Sequence, residues 1–188
     1  MAASTLPASK SGLFADPRED WLSLRTEEIL DPGRPIVDPH HHLWDRGGQR
    51  YLIEEMAADI ASGHNIIATV YVEARAMYRA GGPEAMRPVG EVEFAGGAAA
   101  MSASGGYGPA AICAGIVGHA NLLLGEAARE VLEAEIAAGN GRFRGTIATT
   151  SICRARQIVK PMSAAAAAGS TYRLRVIARS THNALQRS

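Results

Sequence analysis

The segment that decides the fold reads Ile36-Val37-Asp38-Pro39-His40-His41-His42-Leu43-Trp44-Asp45. Its apolar start predicts a short β-strand over residues 36–42. Because successive side chains of a strand point to opposite faces, Asp38, His40 and His42 share one face, while His41 points away and is expected to be structural. Two imidazoles on one face, two residues apart, can hold a single metal ion. The segment is therefore the candidate metal site, and the alternative is that His40 and His42 are strand-end histidines that make ordinary hydrogen bonds.

Apolar runs downstream predict three more strands, at residues 66–72, at residues 111–117 and from residue 143 onward. The run at 66–72 is apolar nearly throughout, which is typical of a parallel strand covered on both faces. Helices are predicted at residues 17–29, 52–62, 84–104 and 125–138, with a loop at 46–48. This alternation predicts right-handed parallel β-α-β units, in an α/β barrel or a doubly wound sheet.

The helix predicted at residues 125–138 has the clearest amphipathic pattern in the chain. Its expected apolar side consists of Ala128, Val131, Leu132 and Ile136, and its expected polar side consists of Glu126, Glu130 and Glu133.

Length and composition predict one domain with its own core. The chain has 188 residues, of which 47% are hydrophobic, and its formal charge is zero. A balanced charge gives no general argument for nucleic acid or an anionic membrane as partner. Two cysteines suit a reducing compartment, and no apolar run is long enough for a signal peptide or a membrane span. We expect a soluble, cytoplasmic protein.

The zero net charge hides an asymmetry between the two ends of the chain. Residues 146–188 contain seven basic and no acidic residues, whereas residues 1–145 contain 12 basic and all 19 acidic ones. The basic end also carries a five-alanine run and no continuing strand-helix alternation. It is interpreted as a tail or disordered stretch, or alternatively as a segment translated out of frame. The expected organisation is an N-terminal arm (1–34), a β/α domain (35–147) and a basic tail (148–188).

Residues 27–45, with the run Ile-Val-Asp-Pro-His-His-His-Leu-Trp-Asp, resemble the opening of the amidohydrolase-related family. This family comprises predicted metal-dependent TIM-barrel hydrolases and includes lactone hydrolases. The segments at 69–74, 114–120 and 141–145 are similar to its second, third and fourth strand regions. The resemblance covers roughly residues 20–145.

The resemblance implies a partial (β/α)₈ barrel of three to four β/α units, with the active site at the carboxyl ends of the strands. It implies that His40 and His42 are ligands of a divalent metal ion, with Zn²⁺ the first choice, although some members of this branch are thought to work without a tightly held metal. It also implies a small-molecule substrate, a lactone or similar carbonyl compound. In the family, further histidines and a final-strand aspartate complete the site from later strands.

Three further side chains are candidates for substrate contact or for support of the metal ligands. Asp38 is expected either to orient a ligand histidine through its second nitrogen or to cap the local turn. Glu73 is placed to meet substrate at a strand end, but a salt bridge with Arg75 or Arg79 is an equal alternative. His119, after the third predicted strand, is a candidate pocket residue. No residue is identified as the general base.

Three hypotheses about function follow. The first is a metal-dependent hydrolase, and the second is a non-catalytic barrel remnant, since a complete barrel takes about 250 residues. The third and weakest is binding of nucleic acid by the basic tail. Four parallel strands leave an open, apolar sheet edge, which predicts association into a homo-oligomer. No nucleotide cofactor is expected, because the glycines at 105–108 follow a helix instead of opening one.

Overall fold

Four parallel strands form the central sheet of the computed structural model, which describes residues 19–46 and 49–147. In chain order the elements are α1 (Glu19–Leu22), β1 (Ile36–His41), β2 (Trp44–Arg46), β3 (Gln49–Tyr51), α2 (Ile53–Ile60), β4 (Ile66–Val72), α3 (Val89–Ala103), β5 (Ala111–His119), α4 (Ala128–Ala138) and β6 (Phe143–Ile147), with 3₁₀ helices at Glu84–Met86 and Leu122–Ala127. The sheet order is β1-β4-β5-β6, and β2 and β3 form a separate antiparallel hairpin.

The predicted strands and their parallel pairing are confirmed. β1 pairs with β4, β4 with β5 and β5 with β6, all in parallel, with a helix in each connection. The chain is therefore an α/β protein. The described residues form an open sheet of four strands and no closed barrel, so the barrel remains a prediction.

The core lies between the sheet and the helices that connect its strands. It includes Leu43 after β1, Ile53 and Met56 of α2, Tyr71 of β4, Val92 and Ala95 of α3, Ile112 and Ile116 of β5, and Phe143 of β6. Burial of each large side chain contributes about 1.5–3 kcal/mol to folding. By contrast, the strand residues Val37, Ile67 and Ile147 remain exposed.

The helix predicted at residues 17–29 is wrong for most of its length. Within the described part, only Glu19–Leu22 is helical, and residues 25–29 have no regular structure. Trp21, Leu22 and Leu24 are all exposed, so no core face supports the segment. A helix this short is unstable without such packing, because nucleation costs more than a few hydrogen bonds return.

Two predicted helices begin later than expected. The segment 84–104 starts as a 3₁₀ turn, and α3 begins only after Pro88, the residue at its N-terminal boundary. The segment 125–138 starts with Gly125 in a non-helical conformation (φ 62°, ψ −129°), which separates a 3₁₀ helix from α4. Pro88 has helical backbone angles but no N–H to donate, which suits the start of a helix. Gly125 supplies a positive φ, which glycine adopts without steric cost.

The sequence pattern does not predict the hairpin β2–β3. Of the predicted loop at residues 46–48, Arg46 is the last residue of β2, and residues 47–48 lie outside the described residues. Trp44 faces Tyr51 across the two strands, with ring centroids 5.7 Å apart. The signal for the hairpin is weak because each strand has only three residues.

The predicted basic tail (148–188), including His182 and Cys153, and residues 1–18 of the predicted arm lie outside the described residues. Within the described ranges, no helix combines the length and the apolar character needed to cross a membrane.

Candidate metal centre

At the end of β1, the three consecutive histidines alternate between the two faces of the strand, as predicted. His41 is buried, with 7% of its surface exposed, and its Nε2 lies 2.9 Å from the hydroxyl of Thr69 on β4. His40 is exposed and His42 is half-buried. The rings of His40 and His42 lie together, so the predicted pairing of these two side chains is confirmed in geometry.

The two imidazoles point their Nε2 atoms at one another. The Nε2 atoms are 3.2 Å apart, and the ring centroids are 4.8 Å apart with the planes at 88°. That centroid distance is shorter than a head-on N–H···N hydrogen bond would give, so the rings converge at an angle. Zn–N bonds of about 2.0–2.1 Å in tetrahedral geometry would place two ligand nitrogens about 3.3 Å apart. The 3.2 Å separation is that of a hydrogen bond between the two rings, and it is also close to the spacing of two ligands of one ion.

The backbone of β4 selects the tautomer of His42. Its Nδ1 lies 2.7 Å from the carbonyl oxygen of Val72. A carbonyl can only accept, so Nδ1 carries a hydrogen and donates it. In the neutral imidazole, Nε2 then keeps its lone pair, and this is the nitrogen that faces His40. Metal-bound histidines commonly have this arrangement, in which the second ring nitrogen donates to a carbonyl or carboxylate.

The described residues supply an incomplete ligand set. No group of three or more His, Cys, Asp or Glu side chains within residues 19–46 and 49–147 is arranged to hold a metal ion. Catalytic zinc sites generally use three protein ligands. His40 and His42 thus fit two positions of a metal site, and the other positions require ligands that these parts of the chain do not bring together.

Asp38 makes a local contact. Its Oδ1 accepts the backbone N–H of His40 at 3.0 Å, which corresponds to the turn-capping alternative. The atom that orients a histidine of the pair is instead the Val72 carbonyl oxygen.

Glu73 and His119 come together at the carboxyl ends of β4 and β5. Glu73 Oε1 lies 3.8 Å from His119 Nδ1, and both side chains are largely buried. Arg79 pairs with Glu93 instead, while Glu73 Oε2 accepts the backbone N–H of Arg75 at 3.2 Å. The expected salt bridge of Glu73 with an arginine side chain is thus not present among the described residues.

Sequence reasoning missed two buried carboxyl groups, Glu91 of α3 and Glu135 of α4. Glu91 Oε1 accepts from the Tyr71 hydroxyl (2.7 Å) and from the backbone N–H groups of Ala74 (2.8 Å) and Ala76 (3.1 Å). Burial raises the pKa of Glu91, and these hydrogen bonds oppose the increase. This carboxyl therefore ties the loop after β4 to the first turn of α3.

Glu135 lies on the buried side of α4, which the amphipathic pattern assigns to apolar residues such as Ile136. It is fully buried, whereas Ile136, predicted on the apolar side, is 38% exposed. The spacing from Ala128 and Val131 to Glu135 fits one helical face, and this was the available signal. Glutamate is rarely buried, so this spacing alone is a weak indication of burial.

Cys113 and His41 are in contact in the core, but Cys113 does not have the properties of a nucleophile. Cys113 Sγ lies 3.8 Å from His41 Nε2, and the Cys113 N–H donates to Thr69 Oγ1 at 3.0 Å. Burial raises the pKa of Cys113 to about 12 and lowers that of His41 to about 4. An activated cysteine needs the opposite, a low thiol pKa. We interpret the three side chains as core.

The hairpin covers one side of the histidine pair. Trp44 lies with its ring centroid 6.3 Å from that of His42, and the Arg46 guanidinium lies over the Trp44 ring and donates to the carbonyl oxygen of Ala74 at 2.7 Å. The hairpin is therefore joined to the loop that carries Glu73.

Comparison with family models, with curated proteins and with solved structures returns no match to this chain.

Proposed function

We propose that this chain is a metal-dependent hydrolase of the amidohydrolase-related type, with His40 and His42 as ligands of a divalent ion, Zn²⁺ before others. The observation that carries the proposal is the 3.2 Å approach of the two Nε2 atoms, with His42 held in the tautomer that keeps a lone pair on Nε2. The resemblance of residues 27–45 to that family supplies the substrate class, a lactone or similar small carbonyl compound.

A divalent ion held by neutral imidazoles lowers the pKa of bound water to about 7 and polarises a carbonyl oxygen. The chain's own contribution is to hold both imidazoles at one point of the rim. The Val72 carbonyl fixes the ring of His42, and Asp38 fixes the turn before His40. Glu73 and His119 are the nearest candidates for contact with substrate from the neighbouring strand ends.

A non-catalytic barrel remnant is the second candidate. It is favoured by the incomplete ligand set of the described residues and by their open sheet. The two candidates share metal binding by the histidine pair and differ in turnover. A homo-oligomer formed through the open sheet edge is compatible with both.

Metal binding by the purified full chain tests the shared part of the proposal. We expect Zn²⁺ binding by calorimetry, and a visible absorption band on Co²⁺ addition. His40→Ala and His42→Ala should each weaken affinity at least tenfold, since each removes one of two ligands. His64→Ala is the matched control, because His64 is exposed and distant in sequence. Equal affinity in all variants would contradict the assignment of the pair.

Hydrolysis then separates the two candidates. Turnover of simple lactones that is lost on chelation and restored by Zn²⁺ would support the hydrolase. Metal binding that depends on His40 and His42, without turnover, would support the remnant.

A further inference from the structure

A second polar group lies at the carboxyl ends of β4 and β5, apart from the histidine pair. At its centre is Glu135 of α4, which is fully buried. Its Oε1 accepts the backbone N–H of His119 at 3.1 Å. Its Oε2 has no hydrogen-bond partner among the described residues, and the same is true of His119 Nδ1 and the Tyr78 hydroxyl.

The carboxyl lies directly against the backbone of β5. A Cβ atom at Gly118 would stand 2.8 Å from Glu135 Oε1 and 2.9 Å from its carboxyl carbon. Only a glycine leaves room for this approach. The end of β5 and the side chain of Glu135 therefore fit each other closely, and neither can move far without the other.

The groups that face Glu135 do not neutralise a negative charge. Glu73 after β4 and Glu91 of α3 are both acidic and near enough to raise its pKa. Tyr78, in the loop after β4, also interacts with it. His119 offers its backbone N–H, and its imidazole lies beside Glu73. Within the described ranges no arginine or lysine forms a salt bridge with Glu135.

A buried carboxylate without a cation is costly, and the group avoids that cost by keeping its proton. Burial raises the pKa of Glu135 to about 8, and the two neighbouring glutamates act in the same direction, while the His119 N–H opposes them. Glu135 is thus a neutral carboxylic acid at neutral pH.

We propose that Glu135 is a pH-sensitive switch that controls the end of β5: protonated, it lies against Gly118 and holds the backbone of His119, and ionised, it leaves this position and releases that strand end. The proton passes to solvent, and the charge that remains faces Glu73 and Glu91 unless the side chain moves out. Because His119 is a candidate contact for substrate, the switch would act on the rim of the site. It does not depend on metal binding.

Hydrogen exchange of the His119 amide tests the switch without any assay of activity. Protection would be measured by NMR from pH 6.5 to 9 and corrected for the intrinsic rise of the exchange rate with pH. A carboxyl of pKa about 8 is about 3% ionised at pH 6.5 and about 90% ionised at pH 9. The released fraction thus rises about thirtyfold, and we expect protection to fall by the same factor. The Ile116 amide, which donates to Arg142 O, is the internal reference and should keep its protection.

Glu135→Gln is the informative variant, because its amide oxygen can still accept from His119 while no proton can leave. It should keep constant protection up to pH 9. Glu133→Gln, exposed on the same helix, should behave as the unmodified chain. Constant protection of the His119 amide in the unmodified chain, or an equal loss in Glu135→Gln, would overturn the proposal.

If Glu135→Gln does not fold, the side-chain carboxyl of Glu135 can be followed by ¹³C NMR in the unmodified chain. A midpoint near pH 8, matched by a shift of the His119 amide, supports the switch. A midpoint below about 5.5 overturns it.

Discussion

His41 and His42 are adjacent in sequence, and their side chains have opposite chemical roles. The His42 ring lies at the carboxyl end of β1, with Nδ1 fixed by the Val72 carbonyl and Nε2 3.2 Å from Nε2 of His40. His41 lies in the core, where its Nε2 is 2.9 Å from the Thr69 hydroxyl, and that hydroxyl also accepts the backbone N–H of Cys113. The other ring nitrogen of His41, Nδ1, has no hydrogen-bond partner among the described residues. A buried neutral histidine of this kind resists protonation.

Replacement of His41 by Gln should remove an acid-sensitive contribution to stability. Burial lowers the pKa of His41 from 6.5 to about 4, so only the unfolded chain takes up a proton between these values. The contribution of His41 to the free energy of unfolding is therefore fully present above pH 6.5 and is lost as the pH falls toward 4. From pH 7.5 to pH 5 we expect the unmodified chain to lose about 2 kcal/mol relative to His41→Gln.

The measurement is urea unfolding of both chains at the two pH values. The difference between chains is needed because Glu135, whose pKa is raised, contributes with the opposite sign, favouring folding at low pH. His64→Gln, at an exposed position, serves as control. A pH-independent difference between His41→Gln and the unmodified chain would show that His41 is not buried in neutral form.

The orientation of the histidine pair could be predicted from the sequence because it needs only the two-residue period of a strand. The partners of that pair could not. The Val72 carbonyl and the Glu73–His119 contact depend on the register between β1, β4 and β5, which includes irregular steps. The hydrogen-bond partners of Glu91 and Glu135 depend on tertiary contacts, which the sequence pattern does not contain; only the helical spacing of Glu135 gives a local signal of its burial.

At the scale of elements, α3 contains two glycines with opposite expected responses to alanine. A Cβ at Gly90 would lie 2.8 Å from the backbone N of Arg79 and the carbonyl oxygen of Met77, and backbone atoms cannot easily move aside. Gly97, in the same helix, has open space around the added atom. Gly90 is required because the loop at residues 77–79 packs closely on α3 at this point, whereas Gly97 is not required by packing.

We expect Gly90→Ala to destabilise the fold by about 1–3 kcal/mol through steric overlap. Gly97→Ala should stabilise it by about 0.5–1 kcal/mol, since alanine loses less conformational entropy in a helix. Urea unfolding of the two variants under one set of conditions measures both. Stabilisation by both alanines would mean that the loop at residues 77–79 does not pack on α3 as described.

The elements themselves were predicted to the extent that local sequence controls them. The strand β4 was placed at residues 66–72, as found, because an apolar β-branched run between turns leaves few alternatives. The helix predicted at residues 17–29 is largely absent from the described part of the segment. A helical sequence pattern is insufficient where no core surface contacts its apolar residues. The start of α4 depended on the backbone of Gly125, which the composition of the segment does not specify.

At the scale of the whole molecule, the sheet ends on both sides in a strand with an unpaired outer edge among the described residues. These edges, β1 and β6, carry exposed Val37 and Ile147. Unprotected edges of this kind favour association with another strand, and a charged side chain on the edge opposes it. The proposed homo-oligomer follows from this arrangement.

We expect the purified chain to associate at micromolar concentration, and Val37→Lys together with Ile147→Lys to shift it toward monomer at least tenfold in dissociation constant. Sedimentation velocity over a concentration series measures this. Leu30→Lys is the control, since Leu30 is 93% exposed and lies outside the sheet. A monomer at all concentrations in the unmodified chain, or the same shift caused by the control, would refute association through the edges.

The environment of Cys113 has a practical consequence. Its sulfur is fully buried and its pKa is raised to about 12, so a thiol reagent meets neither an accessible atom nor a thiolate while the core is closed. With Cys153 replaced by serine, the chain keeps one cysteine. The rate at which an alkylating reagent labels that residue would then report how often the core opens, from the molecule's own chemistry and without an attached dye.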